Sequence, residues 1–239
     1  MEKDTSKVIA TMTLEELQAN SKHVENFTPP NVSDEWIKQI TIEKNQKQKP
    51  MSTRPEIAYC IMMNPNDEKI AKVRDEFSKL GIETPLEIFT AIDGENPNVP
   101  FKYELFQGWK MRSDNRFWSR DITKGEVGCA LSHLSVWMEI AKGGYNSALI
   151  LEEDFSVLRP WPDHELEWPE SWNWKYTMMY LGRSKLEDDK RQLTDLLVEP
   201  NYSYNAHAYM LTGDGVQRLL EQNFQKYICP VDEFLPATY

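Results

Sequence analysis

Cysteine is scarce in this chain: three residues in 239, Cys60, Cys129 and Cys229, widely separated. An odd and dispersed set supplies neither a disulfide framework nor a zinc cluster of its own. The apolar surroundings of each are those of an ordinary buried thiol. Positive charge is also in deficit, with 27 Lys and Arg against 38 Asp and Glu and a formal net charge of −11. That balance excludes a general nucleic-acid or anionic-membrane binder, since both require a basic surface. No apolar run approaches the length of a membrane span, and the opening Met1-Glu-Lys-Asp-Thr-Ser-Lys7 has no signal-peptide core. A soluble, cytoplasmic protein is the default expectation, with the ER lumen as the alternative if a targeting segment is missing from this stretch. No internal repeat is visible, and the Asn-x-Ser/Thr triplets at Asn26, Asn31 and Asn201 arise easily by chance.

What is present divides unevenly. Residues 1–54 are polar, with a capping-box pattern at Thr13-Leu-Glu-Glu and a linker-like run at Glu43-Lys-Asn-Gln-Lys-Gln-Lys-Pro50. From residue 55 the pattern tightens into one domain reaching 239. A strand is expected over 57–63, then a helix capped at Asn66-Asp67 and closed by Gly81, then a strand over 86–92. This β-α-β unit implies parallel strands joined by a right-handed crossover. Residues 95–123 are irregular and aromatic, long enough to read as a functional loop. A helix is expected over 125–141, with Val127, Ala130, Leu131, Leu134, Trp137 or Met138, and Ala141 on its apolar face. Strands over 176–181 and 206–212 and a helix around Val216, Leu219 and Leu220 follow. The expected fold is α/β, a mixed and mostly parallel sheet with helices on both faces.

Chemistry concentrates at Ser147-Ala-Leu-Ile-Leu-Glu-Glu-Asp-Phe155, an apolar strand that ends in three carboxylates. Carboxylates at the carboxyl end of such a strand lie on the rim where open α/β sheets bind ligands. If the chain stays extended, Glu152 and Asp154 share a face and Glu153 points away. Two hard oxygen donors suit Mg²⁺ or Mn²⁺ held together with substrate phosphates. The alternative is a strand running into a solvated acidic turn.

Several ordered blocks then coincide: Lys124-Gly-Glu-Val-Gly-Cys-Ala-Leu-Ser-His133, Trp137, and Ala148-Leu-Ile-Leu-Glu-Glu-Asp154. With Ala91-Ile-Asp-Gly94 before them and Tyr180-Leu-Gly-Arg183, Asn201-Tyr-Ser-Tyr204 and Pro230-Val-Asp-Glu-Phe-Leu-Pro236 after them, the chain resembles glycosyltransferase family 25. The last third is similar to the procollagen galactosyltransferase branch, while other members of the family serve lipopolysaccharide biosynthesis. The resemblance implies a GT-A-like fold and transfer of galactose or glucose from UDP-galactose or UDP-glucose, with Mn²⁺ (or Mg²⁺) as helper. The acceptor would be a hydroxylysine of a collagen-like protein or a saccharide. Glu152 and Asp154 would stand in place of the carboxylates that bridge metal and diphosphate. Asp93 would lie near the nucleoside, and Asp232 or Glu233 near the acceptor. Asn64, Asp93, Gly94, Lys124, Ser132 and Arg183 make up the candidate donor-binding set. Two departures stand out. The family usually carries Glu-Asp-Asp where this chain has Glu152-Glu-Asp154, and this chain stops at Tyr239, where relatives continue. The second leaves a truncated or non-catalytic form open.

The residues themselves support that chemistry. Cleaving a sugar–UDP bond builds charge on the leaving diphosphate, which a cation held by Asp154 and Glu152 would neutralise. An inverting displacement by a hydroxyl needs a general base, for which Asp232 and Glu233 are the candidates, Asp232 preferred. Their alternative role is an acidic helix start. His133 and His207 read as hydrogen-bonded structural residues. Lys124 and the helix entrance could meet a phosphate, and Arg183 a phosphate or a surface carboxylate. Trp161, Trp168, Trp172 and Trp174 cluster after the carboxylates, where a sugar ring could stack. A non-catalytic nucleotide-sugar binder and an Mg²⁺ phosphohydrolase are the competing readings. The second lacks the Asp-x-Asp with nearby Ser or Thr that an aspartyl phosphatase requires.

Overall fold

A computed structural model describes residues 54–96, 122–161, 177–222, 224 and 228–239. The expected N-terminal helix and linker, most of the 95–123 loop, and Trp168, Trp172 and Trp174 lie outside the described residues.

The central strands are apolar on both faces, so they occupy the middle of the sheet. Strand β1 (Ile57–Met62) and strand β3 (Ser147–Glu152) are buried along nearly their whole length. β1 pairs in parallel with β2 (Leu86–Thr90) on one side and with β3 on the other. Antiparallel β7 (Ser203–Thr212) follows β3, and β4 (Met178–Lys185) closes the far edge, giving the order β2-β1-β3-β7-β4. Because β4 runs opposite to β7, four of the five strands share one direction. The sheet is therefore α/β and mostly parallel, as the sequence pattern implies. Two short strands, β5 (Arg191–Gln192) and β6 (Val198–Glu199), form a separate ribbon.

Alternation along the strands sorts the core into two layers. Ala58, Cys60, Met62, Leu149, Leu151 and Met210 face one side, where Val73 and Phe77 of helix α1 (Asp67–Ser78) cover them. Ile57, Ile61, Ala148, Ile150, Tyr209 and Leu211 face the other, against helices α2 (Lys124–Gly143), α3 (Gly213–Glu221) and α4 (Val231–Thr238). Helices thus flank both faces.

Helix ends follow local chemistry. Asn66 caps α1 by accepting from the Lys69 amide at 2.9 Å. Thr123 and Glu126 close a reciprocal capping box at the start of α2, and Gly144, at φ 67°, ends it in the left-handed region. α2 is not amphipathic as its apolar stripe suggests. Thirteen of its side chains or backbone positions are buried, because α3 and α4 pack on the side the stripe leaves open.

Several strand ends differ from the sequence expectation. β2 stops at Thr90 because the Ile92 amide donates to Ser132 Oγ (2.8 Å) instead of to a neighbouring strand. β7 begins at Ser203 and β4 runs on to Lys185, with irregular register around Gly182.

Candidate active site

Several nominated residues fall along one edge of the sheet. Asn64 follows the carboxyl end of β1, Asp93 and Gly94 follow β2, and Glu152 ends β3. β7 is antiparallel to β3, so its start, with Asn205 and His207, lies at this same edge, as does the end of β4 with Arg183. Open α/β sheets bind ligands there.

Glu152 is the best-defined member. Its Oε1 lies 2.9 Å from His133 Nε2 and 3.8 Å from Cys129 Sγ. His133 is fully buried, and its Nδ1 lies 2.8 Å from the Tyr209 hydroxyl. That hydroxyl accepts from Trp137 Nε1 at 2.8 Å. Burial pushes the Tyr209 phenol well above its ordinary value, so it keeps its proton and directs it to Nδ1. The Nε2 proton is then the one donated to Glu152. Burial, the largest influence on Glu152, would push its carboxyl up. The hydrogen bond and attraction from His133, the attraction of His207 and the Cys129 contact together outweigh it, and the group stays below the usual Glu value.

The strand ends at Glu152. The Phe155 amide donates to the Glu152 carbonyl at 3.1 Å, turning the chain at Glu153-Asp154. Extended alternation therefore stops one residue before it could align Asp154 with Glu152, and Asp154 stands exposed in the turn. Glu153 does point to the α1 side, where it pairs with Lys69 Nζ at 3.0 Å.

Asp232 lies near Cys129 and Tyr180, which feel its charge, and near Glu152, whose charge acts on it. Burial pushes the Asp232 carboxyl up, against hydrogen bonds from the Ala206 and Asn205 amides, and Glu152 pushes it further. The Ala206 bond is 2.9 Å. Asn205 adopts φ 75°, a left-handed conformation that presents this turn to the carboxylate. Glu233 is held by Tyr202 and Tyr204, whose hydroxyls donate to its two oxygens. Both acidic residues therefore dock α4 on the start of β7, the helix-start role, and Asp232 also borders the Glu152 cluster.

The other nominated residues divide. Ser132 is fully buried and has both of its bonds internal: it donates to Gly128 O at 2.7 Å and accepts from Ile92 N. It braces the loop after β2 and presents no group to a ligand. Gly94 and Gly128 allow the same close approach. A Cβ on Gly94 would collide with the Lys124 carbonyl, and one on Gly128 would lie 2.5 Å from the Ile92 carbonyl oxygen. Asp93 is exposed and accepts from the Glu95 amide at 2.9 Å. Lys124 Nζ lies 3.6 Å from Glu95. Arg183 donates to Asp189 at 2.6 Å and to Ser203 at 3.0 Å, so its charge is already answered. Asn64 is exposed at φ 48°. Trp161 packs beneath the sheet on the α1 side instead of facing this edge.

Sequence reasoning passed over the Cys129–His133–Glu152 grouping, whose donor atoms all lie within 4.8 Å of one another. The signal was present: Cys129 and His133 are four apart on a helix that runs straight into the Glu152 strand. A hard divalent cation suits the donor types at this edge, since Glu152 and, two residues on in the turn, exposed Asp154 are both carboxylates.

Residues 56–161, which span β1 through the carboxylate turn, match the profile of glycosyltransferase family 25 (LPS biosynthesis protein). The chain belongs to glycosyltransferase family 25. It is 33% identical over 174 residues to procollagen galactosyltransferase 1 of Danio rerio, covering 66% of this chain and 27% of that protein. It is 29% identical over 194 residues to the procollagen lysyl hydroxylase and glycosyltransferase of Acanthamoeba polyphaga mimivirus, covering 76% of this chain and 21% of that protein. A Bos taurus protein named probable inactive glycosyltransferase 25 family member 3 is 33% identical over 158 residues, covering 64% of this chain and 27% of its own. The chain thus spans about a third or less of the curated relatives it matches. Family membership agrees with the α/β sheet and its carboxylate edge. Among the described residues, no helix is long and apolar enough to cross a membrane.

Proposed function

We propose that residues 55–239 form a GT-A-like, metal-dependent hexosyltransferase unit, preceded by a polar extension over 1–54. The unit moves galactose or glucose from a UDP-sugar to an acceptor hydroxyl, with inversion. One observation carries the reading: Glu152 is held at the carboxyl end of β3 by His133 at 2.9 Å, with Asp154 exposed in the turn that follows. Glu152 and Asp154 would hold Mn²⁺ or Mg²⁺, which neutralises charge on the departing diphosphate. The turn at Asp93-Gly94 and the Lys124 entrance of α2 border the same edge, where the nucleoside and phosphates would sit.

Asp232 takes the proton of the acceptor hydroxyl as attack proceeds. Its raised carboxyl makes the carboxylate a stronger base than an exposed aspartate, and the Asn205 and Ala206 amides fix its direction. Glu233 positions α4 through Tyr202 and Tyr204. The names of the zebrafish and mimivirus relatives support a hydroxylysine of a collagen-like protein as acceptor over a saccharide, and with it an ER-lumenal setting.

Calorimetric titration of UDP with Mn²⁺ and with EDTA, repeated on Asp154→Ala, tests this. Metal-dependent binding that disappears in the variant is the expected result. Equal binding in EDTA would sink the metal-dependent reading. A second reading, binding without transfer, is favoured by the likeness to the probable inactive bovine protein. Tight UDP binding with no hexose transferred to any hydroxylysine peptide or saccharide would select it.

A further inference from the structure

The Cys129–His133–Glu152 grouping differs chemically from the hard-oxygen pair at the end of β3. Its donors are a thiol, an imidazole and a carboxylate, the set that softer, thiophilic cations select over Mn²⁺ and Mg²⁺. We propose that Cys129 Sγ, His133 Nε2 and Glu152 Oε1 form a binding site for a thiophilic divalent cation, Zn²⁺ foremost.

Three features support it. First, the geometry is a helix–strand clamp. Cys129 and His133 project one turn apart from α2, and Glu152 faces them from β3, with separations of 2.9 Å to His133 and 3.8 Å to Cys129. All three donor atoms lie within 4.8 Å of one another, so small side-chain shifts bring them within zinc–ligand reach. Second, charge closes. A thiolate, a carboxylate and a neutral imidazole balance a dication, so the cluster adds no net charge to a largely buried place. Third, His133 is already oriented from behind by Tyr209, whose hydroxyl is itself fixed by Trp137. Such outer contacts set ring direction in metal sites. The Glu152 side chain is 32% exposed, which supplies an entrance and a fourth position for water.

Binding takes a proton from each of two ligating atoms, and one of the two returns to the imidazole. The Cys129 S–H bond breaks, its proton passes to solvent and the sulfur lone pair bonds the ion. His133 gives up the Nε2 proton, and Nδ1 takes up one in its place as the imidazole changes tautomer. Tyr209 accepts that new N–H and turns its own proton aside. One proton per ion is released overall.

A consequence rests on the glycosyltransferase reading above. A cation bound here engages Glu152 and draws it away from Asp154, so Zn²⁺ opposes Mn²⁺-dependent UDP binding. The binding claim itself needs no nucleotide, which keeps the two ideas separable.

Co²⁺ is the probe, added to the full chain without UDP. A thiolate-to-cobalt charge-transfer band in the near ultraviolet, bleached by Zn²⁺, is expected. Cys129→Ser should abolish the band and weaken Zn²⁺ binding by more than about tenfold, a loss seen even when outer-shell partners are removed. Glu152→Gln should weaken it while keeping the thiolate band. Far-ultraviolet circular dichroism of both variants checks that they are folded. The proposal is overturned if folded wild-type protein gives no band, or if the band survives Cys129→Ser and so comes from Cys60 or Cys229. If Zn²⁺ binds as described but UDP never requires Mn²⁺, the cation site stands and the donor-site reading fails.

Discussion

His133 and Glu152 meet at 2.9 Å across the junction of α2 and β3, joining a fully buried imidazole to a carboxylate at the sheet edge. The bond is the outer link of a chain that starts at Trp137 Nε1 and passes through the Tyr209 hydroxyl. A charge at the rim is therefore fixed by groups deep in the core.

That chain makes Glu152 a contributor to acid sensitivity. Its folded carboxyl lies below the ordinary value of 4.5, so ionised Glu152 stabilises the fold above that value. The contribution is lost as pH falls through the lower folded value. Urea midpoints followed from neutrality into acid should show a shallower loss for Glu152→Gln than for the wild type. Identical slopes below 4.5 would remove Glu152 from the account.

Asp232 has the opposite sign. Its folded carboxyl is raised above 3.8, so the native state binds the proton more tightly and stability declines as pH rises through that window. Asp232→Asn should melt higher than the wild type at neutral pH, with the gap closing below 3.8, and should lose hexose transfer. An equal deficit at both pH values would mean that the amide contacts, not the charge, dominate.

Three glycines separate packing from helix propensity. Gly94→Ala and Gly128→Ala press a methyl onto backbone of the neighbouring segment and should each cost about 1–3 kcal/mol. Gly125→Ala, one helical turn away in open space, should be neutral or gain up to about 1 kcal/mol. Thermal unfolding of the three variants settles the order, and a harmless Gly128→Ala would contradict the close approach of the loop after β2.

Glu233 ties α4 to the sheet through two phenols. Tyr202→Phe and Tyr204→Phe each remove a bond to a carboxylate and should each destabilise by about 1.5–3 kcal/mol. The double variant should fall short of the sum, because the bonds share one acceptor group. Single effects within about 0.5 kcal/mol would show that α4 docks by its apolar face alone.

Much of this was legible in the chain. Continuous apolar runs at β1 and β3 and Asn66 at the start of α1 each carry a local physical reason, and these elements formed where the pattern placed them, β1 ending one residue early. The turn at Glu153-Asp154 was not legible, since an extended and a turned acidic tail read alike until a hydrogen bond closes one of them. Nor was the shortness of β2, which Ser132 sets from forty residues away.

By itself the sequence determined the element types, the α/β class and the placing of carboxylates after a buried strand, because periodicity and capping are short-range effects. Only the tertiary structure decided which face Glu152 meets, that Ser132 braces a loop, and that Asp232 lies close enough to Glu152 to feel its charge and to Cys129 to act on it. Such contacts join residues tens of positions apart, and their energies depend on burial and distance that no local pattern encodes.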